Sequence, residues 1–255
     1  MITSNKALSF SIYLVILLLF NGCEAYTTQP ESSHSNPQYT EDYADDNSGN
    51  ILDTLFSYYK CDQVVEKELN SGYSLQFCYD YSYKSSIFTA YTLDAELVNS
   101  VNLPDRPSFT KEEDVPEEYR VSPTDYLGTG YDRGHLAPDA SFDYELEDLE
   151  QTYSMINIIP QDPTVNRDFW SKAEAYARDM TETLGTLQVV NGVVFDSNPD
   201  MLGDSTMSIP IGFWKMLWHD TKDFQRCFYY DNFIIGDSNL DTLDDHEIDC
   251  DTLLP

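Results

Sequence analysis

Tyr131-Asp132-Arg133-Gly134-His135-Leu136-Ala137-Pro138 carries the densest chemistry in a chain of 255 residues. Imidazole can take up a proton near neutral pH, which makes His135 a candidate general base. Arg133 stands two residues earlier and shares its face if the segment is a strand. Each residue alone has a blander reading. A lone histidine in a glycine-containing segment is usually structural, and Asp132 beside Arg133 is usually a local ion pair. The motif acquires meaning from the residues downstream of it. Ser154-Met155-Ile156-Asn157-Ile158-Ile159-Pro160-Gln161 precedes Asn166-Arg167-Asp168-Phe169-Trp170, and Glu174 and Arg178 come next.

Ser171–Leu184 (SKAEAYARDMTETL) sets Ala173, Ala177, Met180 and Leu184 at helical spacing, which predicts a helix there. If that helix starts at Asn166, then Asn166, Glu174 and Arg178 lie on roughly one face. The Asn166 amide offers a neutral oxygen, suited to a hard cation such as Mg²⁺ that keeps most of its water. Glu174 would orient that water and Arg178 would reach a phosphate. The competing readings are an N-cap for Asn166 and a surface ion pair for Glu174 with Arg178. Base, amide ligand and arginines in this order suggest phosphodiester hydrolysis.

The same order resembles the DNA/RNA non-specific endonuclease family, the ββα-metal group that includes the Serratia-type nuclease and mitochondrial endonuclease G. The resemblance covers most of residues 70–220. Asp132–His135 reads as the family's DRGH signature, and Asn157 and Gln161, in NIIPQ, match its N-x-x-P-Q element. Asn166, Glu174 and Arg178 match the metal asparagine and the helical Glu and Arg. Arg106, in DRPSF, looks like the upstream arginine. Tyr79–Leu93 resembles the opening hairpin and Pro210–Lys215 the late P-x-x-F/Y-K segment.

The resemblance implies an α+β fold with a central antiparallel sheet flanked by helices and a metal site on a hairpin-plus-helix unit. It implies a nuclease acting on DNA and RNA with little sequence preference and leaving 5′-phosphates. His135 would be the general base. Asn166 would hold Mg²⁺, with Mn²⁺ or another divalent cation as alternatives. Glu174 would orient the hydrated ion, and Arg106, Arg133 and Arg178 would meet phosphate. Arg167, Asn157 and Gln161 fall on the substrate side, the two amides chiefly shaping the site. The alternatives are a catalytically weak nucleic-acid binder on this fold and an acidic surface or ion-binding protein. A homodimer and an inhibitor protein are both open.

Outside this stretch, Tyr73–Tyr83 reads as a strand paired with Ile87–Leu93 across a Lys84-Ser85-Ser86 turn. Leu187–Phe195 and Ser208–Leu217 read as late strands, with Pro210 bounding the second. Lys6 precedes an apolar run, Leu8 to Phe20, too short for a comfortable membrane span, so residues 1–22 read as a signal peptide. Either Cys23 is then lipidated, anchoring the protein to a membrane, or cleavage nearby releases a soluble exported protein, secreted or periplasmic. Residues 23–50 read as an acidic leader and 51–255 as the nuclease domain. Cys61, Cys78, Cys227 and Cys250 suggest two disulfides in an exported chain, and of three pairings the local one, Cys61–Cys78 with Cys227–Cys250, is cheapest. No Cys/His spacing suits zinc. Asp237, Asn239 and Asp241 occupy EF-hand-like positions, but Thr242 and Ile248 replace the required Gly and Glu. The tail Asp237–Asp251 therefore reads as a solvated acidic surface.

Fourteen Lys and Arg face 45 Asp and Glu, a formal charge of −31. That excludes polybasic functions, and the 41% hydrophobic and 14% aromatic content excludes disorder. It also argues against a nucleic-acid partner. The argument weakens locally, because surface charges beyond a Debye length of about 8 Å are screened at physiological salt. An arginine about 4 Å from a phosphate contributes roughly 1–4 kcal/mol, and Arg106, Arg133, Arg167 and Arg178 are four candidates. Moderate salt should relieve long-range repulsion before it weakens such contacts. We predict nuclease activity that tolerates or prefers moderate salt in a titration of rate against NaCl; a steep monotonic loss from low salt upward would contradict this.

Overall fold

The computed structural model describes residues 50–203, 206–234 and 236–254. The expected signal segment, Cys23 and most of the acidic leader lie outside them. Helix α1 (Ile51–Tyr59) opens at Asn50, whose side chain accepts from the Leu52 N–H. Strands β1 (Gln63–Glu68), β2 (Ser74–Asp80) and β3 (Ser85–Asp94) follow. Next come strand β4 (Asp132–His135), helix α2 (Leu146–Thr152) and strand β5 (Ile158–Gln161). Helix α3 (Ser171–Leu184) precedes strands β6 (Thr186–Val194), β7 (Gly212–Trp218), β8 (Gln225–Asp231) and β9 (Glu247–Ile248).

Among the described residues the main sheet runs β1-β2-β3-β6-β7-β8-β9, and every neighbouring pair is antiparallel. Strands β4 and β5 form a separate antiparallel ribbon. This is the expected α+β architecture, with the sheet between helices. Strand alternation assigns the two faces. Phe213 and Leu217 of β7 join Tyr91, Val189 and Phe228 against Phe169, Trp170, Ala173 and Ala177. Trp214 and Met216 face the other way, toward Leu55 of α1, Phe88 and Val190. Phe56 packs on Phe88 with ring centres 4.9 Å apart.

Gly192 of β6 lies opposite Trp214. A Cβ at Gly192 would sit 2.1 Å from the indole, so the large ring needs a strand position with no side chain.

Two element boundaries differ from the sequence reading. Ser85 and Ser86 pair with Asp80 and Tyr79 inside the ladder, so the hairpin turns earlier than Lys84-Ser85-Ser86. The Asp80 carboxylate causes this by accepting from the Ser82 and Tyr83 N–H groups and from the Ser82 hydroxyl. Ser208–Leu217 enters the sheet only at Gly212. Ser208 and Ile209 turn back to meet Met201 and Asp200 instead, and Pro210 has no N–H to offer a ladder.

Both local disulfides are present, Cys61–Cys78 and Cys227–Cys250. Such bonds fit an oxidising compartment. The tail is more than a solvated surface. Its Asp241 carboxylate and carbonyl, with the Ser238 carbonyl, accept hydrogen bonds from the Lys172 ammonium of α3. A cation does sit in the EF-hand-like loop, and it is a lysine. His246 stacks on Tyr230 with ring centres 3.8 Å apart and contacts Asp241 at 2.6 Å. Arg226 holds Asp244 and Glu247. No helix among the described residues is long and apolar enough to cross a membrane.

Overpacking a filled core site costs about 1–3 kcal/mol. Gly192→Ala should therefore lower the unfolding free energy by about that much in a urea melt; an unchanged midpoint would contradict the packing described at Trp214.

Candidate active site

The β4–β5 ribbon pairs Asp132 with Gln161, Arg133 with Pro160, Gly134 with Ile159 and His135 with Ile158. Arg133 and His135 share a face, as strand alternation requires. Gly134 points the other way and lies against the buried Gln161 side chain, where a Cβ would meet Oε1 at 2.2 Å. Asn157 pins the chain beyond His135. Its amide accepts from the Ala137 N–H and donates to the Ala137 and Thr152 carbonyls. It is fully buried. Its polar atoms are taken up by backbone groups, which fits the expectation that this amide chiefly shapes the site.

The His135 ring packs between Tyr153, ring centres 4.9 Å apart, and Phe109 at 5.6 Å. Burial lowers its pKa to about 4, against the opposing pull of Asp139. The imidazole is thus neutral at physiological pH. Arg133 lies over the Phe109 ring at 4.9 Å.

Val165–Trp170 winds as a π turn that runs directly into α3. Asn166 is accordingly inside a helix and is no N-cap. Its N–H donates to the Asp162 carbonyl, and the Asp162 side chain accepts from the Thr164 and Val165 N–H groups. Eight α-helical residues overshoot two turns by about 80°. A π turn winds less per residue, which trims that overshoot and draws Asn166 toward the face of Glu174.

Asp132 does not pair with its neighbour Arg133. It grips Arg167 through two bonds, of 2.8 and 2.6 Å, and accepts from Asn166 Nδ2 at 3.0 Å. That last bond orients the amide and leaves Asn166 Oδ1 free to accept a ligand. Arg167 is two-thirds exposed and paired with Asp132.

Glu174 and Arg178 are partly buried on α3, and Lys215 is fully buried on β7 beneath them. Burial raises the Glu174 pKa, and the charges of Lys215 and Arg178 oppose that rise. Burial lowers the Lys215 pKa, and Glu174 opposes it. Lys215 enters the sequence reading only as the last residue of the Pro210–Lys215 segment, with no role of its own. The available signal was one charged residue in the run Phe213–Trp218.

Most of the arginines are neutralised internally. Arg106 pairs with Asp139 and Asp143, Arg120 with Glu113, and Arg226 with Asp244 and Glu247. With Arg167 held by Asp132, the two arginines lacking a salt bridge among the described residues are Arg133 and Arg178. Of the four candidate arginines, Arg106 and Arg167 are thus paired with carboxylates, while Arg133 and Arg178 carry no salt bridge among the described residues.

Unpartnered polar atoms gather here as well. Among the described residues, Arg133 Nε, His135 Nε2, both Gln161 amide atoms and Arg178 Nη1 are buried without a hydrogen bond. Each such group costs about 1–3 kcal/mol, so their concentration marks a place built for polar occupants. A cleft of about 330 Å³ adjoins it, lined by Phe109, Tyr126, Tyr131, Asp132, Arg133 and Asn166. No three His, Cys, Asp or Glu side chains among the described residues form a metal-binding group. The donor in place is one oriented amide oxygen, which fits a hard cation that remains largely hydrated.

A profile of the DNA/RNA non-specific endonuclease family matches residues 53–250. Mitochondrial endonuclease G of Bos taurus is 26% identical over 160 residues, 59% of this chain and 54% of that protein. Mitochondrial nuclease 1 of Schizosaccharomyces pombe is 28% identical over 169 residues, 62% and 51% of the two chains. A nuclease from a Nostoc species is 33% identical over 142 residues, 54% and 51%. The chain spans about half the length of these curated relatives. The crystal structure of an EndoG/EndoGI complex superposes with a TM-score of 0.67 at 21% identity, covering 81% of this chain and 89% of that one.

The Asp132–Asn166 bond yields a test. Removing a partner that orients a metal ligand typically costs about 10- to 100-fold in affinity or activity. Asp132→Ala should weaken Mn²⁺ binding, measured by calorimetry, within that range; unchanged affinity would show that the orientation of Asn166 is irrelevant to the cation.

Proposed function

The chain belongs to the DNA/RNA non-specific endonuclease family, and on that premise we propose that it is a divalent-cation-dependent endonuclease hydrolysing DNA and RNA phosphodiesters with little sequence preference. The observation that carries this reading is the convergence of a neutral imidazole, an oriented amide oxygen and two unpaired guanidinium groups around buried atoms that lack partners.

His135 takes a proton from the attacking water at an unprotonated ring nitrogen. The water oxygen bonds to phosphorus, the bond to the 3′ oxygen breaks, and that oxygen takes a proton from solvent, leaving a 5′-phosphate and a 3′-hydroxyl. Asn166 Oδ1 would hold Mg²⁺ or a similar cation, which supplies charge neutralisation at phosphate and leaving oxygen. Glu174 would orient the water held around that cation. Arg133 and Arg178 stabilise the charge gathering on phosphate. The Gln161 amide, buried and unpartnered against Gly134, is the polar group left to complete the pocket behind His135. Phosphate contacts carry no base identity, which suits a non-specific enzyme.

The apolar run Leu8–Phe20 and the two disulfides favour an exported enzyme, with residues 1–22 as signal and Cys23 either lipidated or absent from the mature protein. Mass spectrometry of the mature N-terminus distinguishes these forms.

Digestion of plasmid and RNA should require Mg²⁺, stop with EDTA, and fall at least about 100-fold in His135→Ala at an unchanged melting temperature. Binding without cleavage would favour a silent nucleic-acid binder instead. Because the free enzyme's His135 is depressed to about 4, protonation removes the base only well below neutrality. The acid limb of kcat/KM should therefore lie below the ordinary histidine value of about 6.5; a limb at or above that value would contradict His135 as the buried base.

A further inference from the structure

We propose that Lys215 is a positioning residue whose ammonium, together with Asn191, ties the His135 ribbon to the helix bearing Asn166 and Glu174 and supplies the counter-charge that holds the Glu174 carboxylate in place. The proposal rests on the nuclease reading above.

Lys215 shares its β7 face with Phe213 and Leu217, and both are fully buried. The lysine is fully buried too, so its ammonium cannot reach solvent along its own stem as lysines commonly do. Burying that charge is expensive, and an apolar side chain of similar volume is often neutral or better for stability. A lysine here needs partners and a purpose.

Its partners lie in both halves of the site. Asn191 is its cross-strand neighbour on β6, and Nζ donates to Asn191 Oδ1 at 2.6 Å. Asn191 is itself fully buried, and its Nδ2 donates to the Tyr91 hydroxyl at 2.9 Å and to the carbonyl of Leu136, the residue after His135. With both amide protons placed, the amide orientation is fixed and its oxygen faces Lys215. On the other side, Nζ sits over the Trp170 ring at 4.5 Å. Trp170 ends the π turn that carries Asn166, and Glu174 lies one helical turn further on. One buried ammonium thus reaches the backbone beside the imidazole through one residue and touches the metal-bearing helix directly.

Arg178 does not replace it. Arg178 stands on the same helix as Glu174, so their relative geometry is local. Lys215 comes from the sheet and fixes where the helix face sits over the ribbon. The Glu174 carboxylate needs an immobile counter-charge if it is to orient water around a cation, and a strand supplies a stiffer mount than a helix surface does.

The test uses the full chain as wild type, Lys215→Met, Glu174→Gln and the double variant. Turnover and KM are measured on plasmid with Mg²⁺, and melting temperature is measured without metal. Lys215→Met should lower kcat about 10- to 100-fold with KM changed less than about 3-fold, the magnitude typical of groups that orient a metal site. In the Glu174→Gln background the same change should cost less than about 3-fold more, because residues acting as one unit are not additive. Metal-free Lys215→Met should melt lower than the double variant, since only the single variant leaves the carboxylate without its sheet-borne counter-charge, with Arg178 alone opposing it. Wild-type turnover in Lys215→Met, multiplicative losses in the double variant, or a double variant melting below Lys215→Met would each overturn the proposal. If Lys215→Met does not fold, comparing the double variant with Glu174→Gln still decides: a further loss of turnover above about 10-fold overturns it, and near-equal turnover upholds it. Failure of the wild type to digest any substrate would reject the nuclease reading, while the melting comparison would still report whether the two charges are coupled.

Discussion

The bond from Asn166 Nδ2 to the Asp132 carboxylate sets the site. Asn166 rides on a helix and His135 on a two-stranded ribbon, and nothing in either element alone aligns them. Asp132 begins the strand that ends at His135, so gripping Asn166 there fixes ribbon against helix three residues from the imidazole. An amide has an oxygen and a nitrogen of nearly the same shape, and a wrong turn about its last torsion would present donors where an acceptor is needed. A carboxylate can only accept, so it selects the nitrogen and sends the oxygen outward. Arg167 steadies the same carboxylate from outside.

Charge is handled by the same economy. The chain's large acidic excess is used to silence its own cations: Lys67, Arg106, Arg120, Arg167, Lys172 and Arg226 all end on carboxylates. Arg133 and Arg178 are the arginines left with unfilled buried donors among the described residues. The selectivity of the surface thus comes from pairing rather than from the total. A polyanion gains nothing from a neutralised arginine, and two open guanidinium groups in a recessed place constitute a local address in an otherwise repulsive molecule.

Much of this was legible from residue order. The helix Ser171–Leu184, the β2–β3 hairpin, the two late strands and the disulfide pairing all follow from periodicity, turn residues and loop length. What resisted reading involved choices made by distant atoms. Asp132 has an arginine next to it in sequence, but the ribbon hands it Arg167 and Asn166 instead. Asn157 carries the same side chain as Asn166, and only the backbone groups around it decide that it is structural. The π turn leaves no periodic signal in six residues. Lys215 was visible as an anomaly in an apolar strand, yet its meaning needed the register that sets it beside Asn191.

The Lys172 ammonium has one more consequence. It lies two residues before Glu174, and its acceptors stand 66 and 69 residues further along the chain. A polypeptide made from its N-terminus must produce strands β6 to β8 and the segment beyond them before that ammonium has anything to bind. Cys250, the partner of Cys227, arrives later still and needs an oxidant. The outer face of helix α3 is therefore among the last surfaces to be finished. If the chain is the nuclease proposed above, it passes through synthesis with the helix of its candidate site still short of that support.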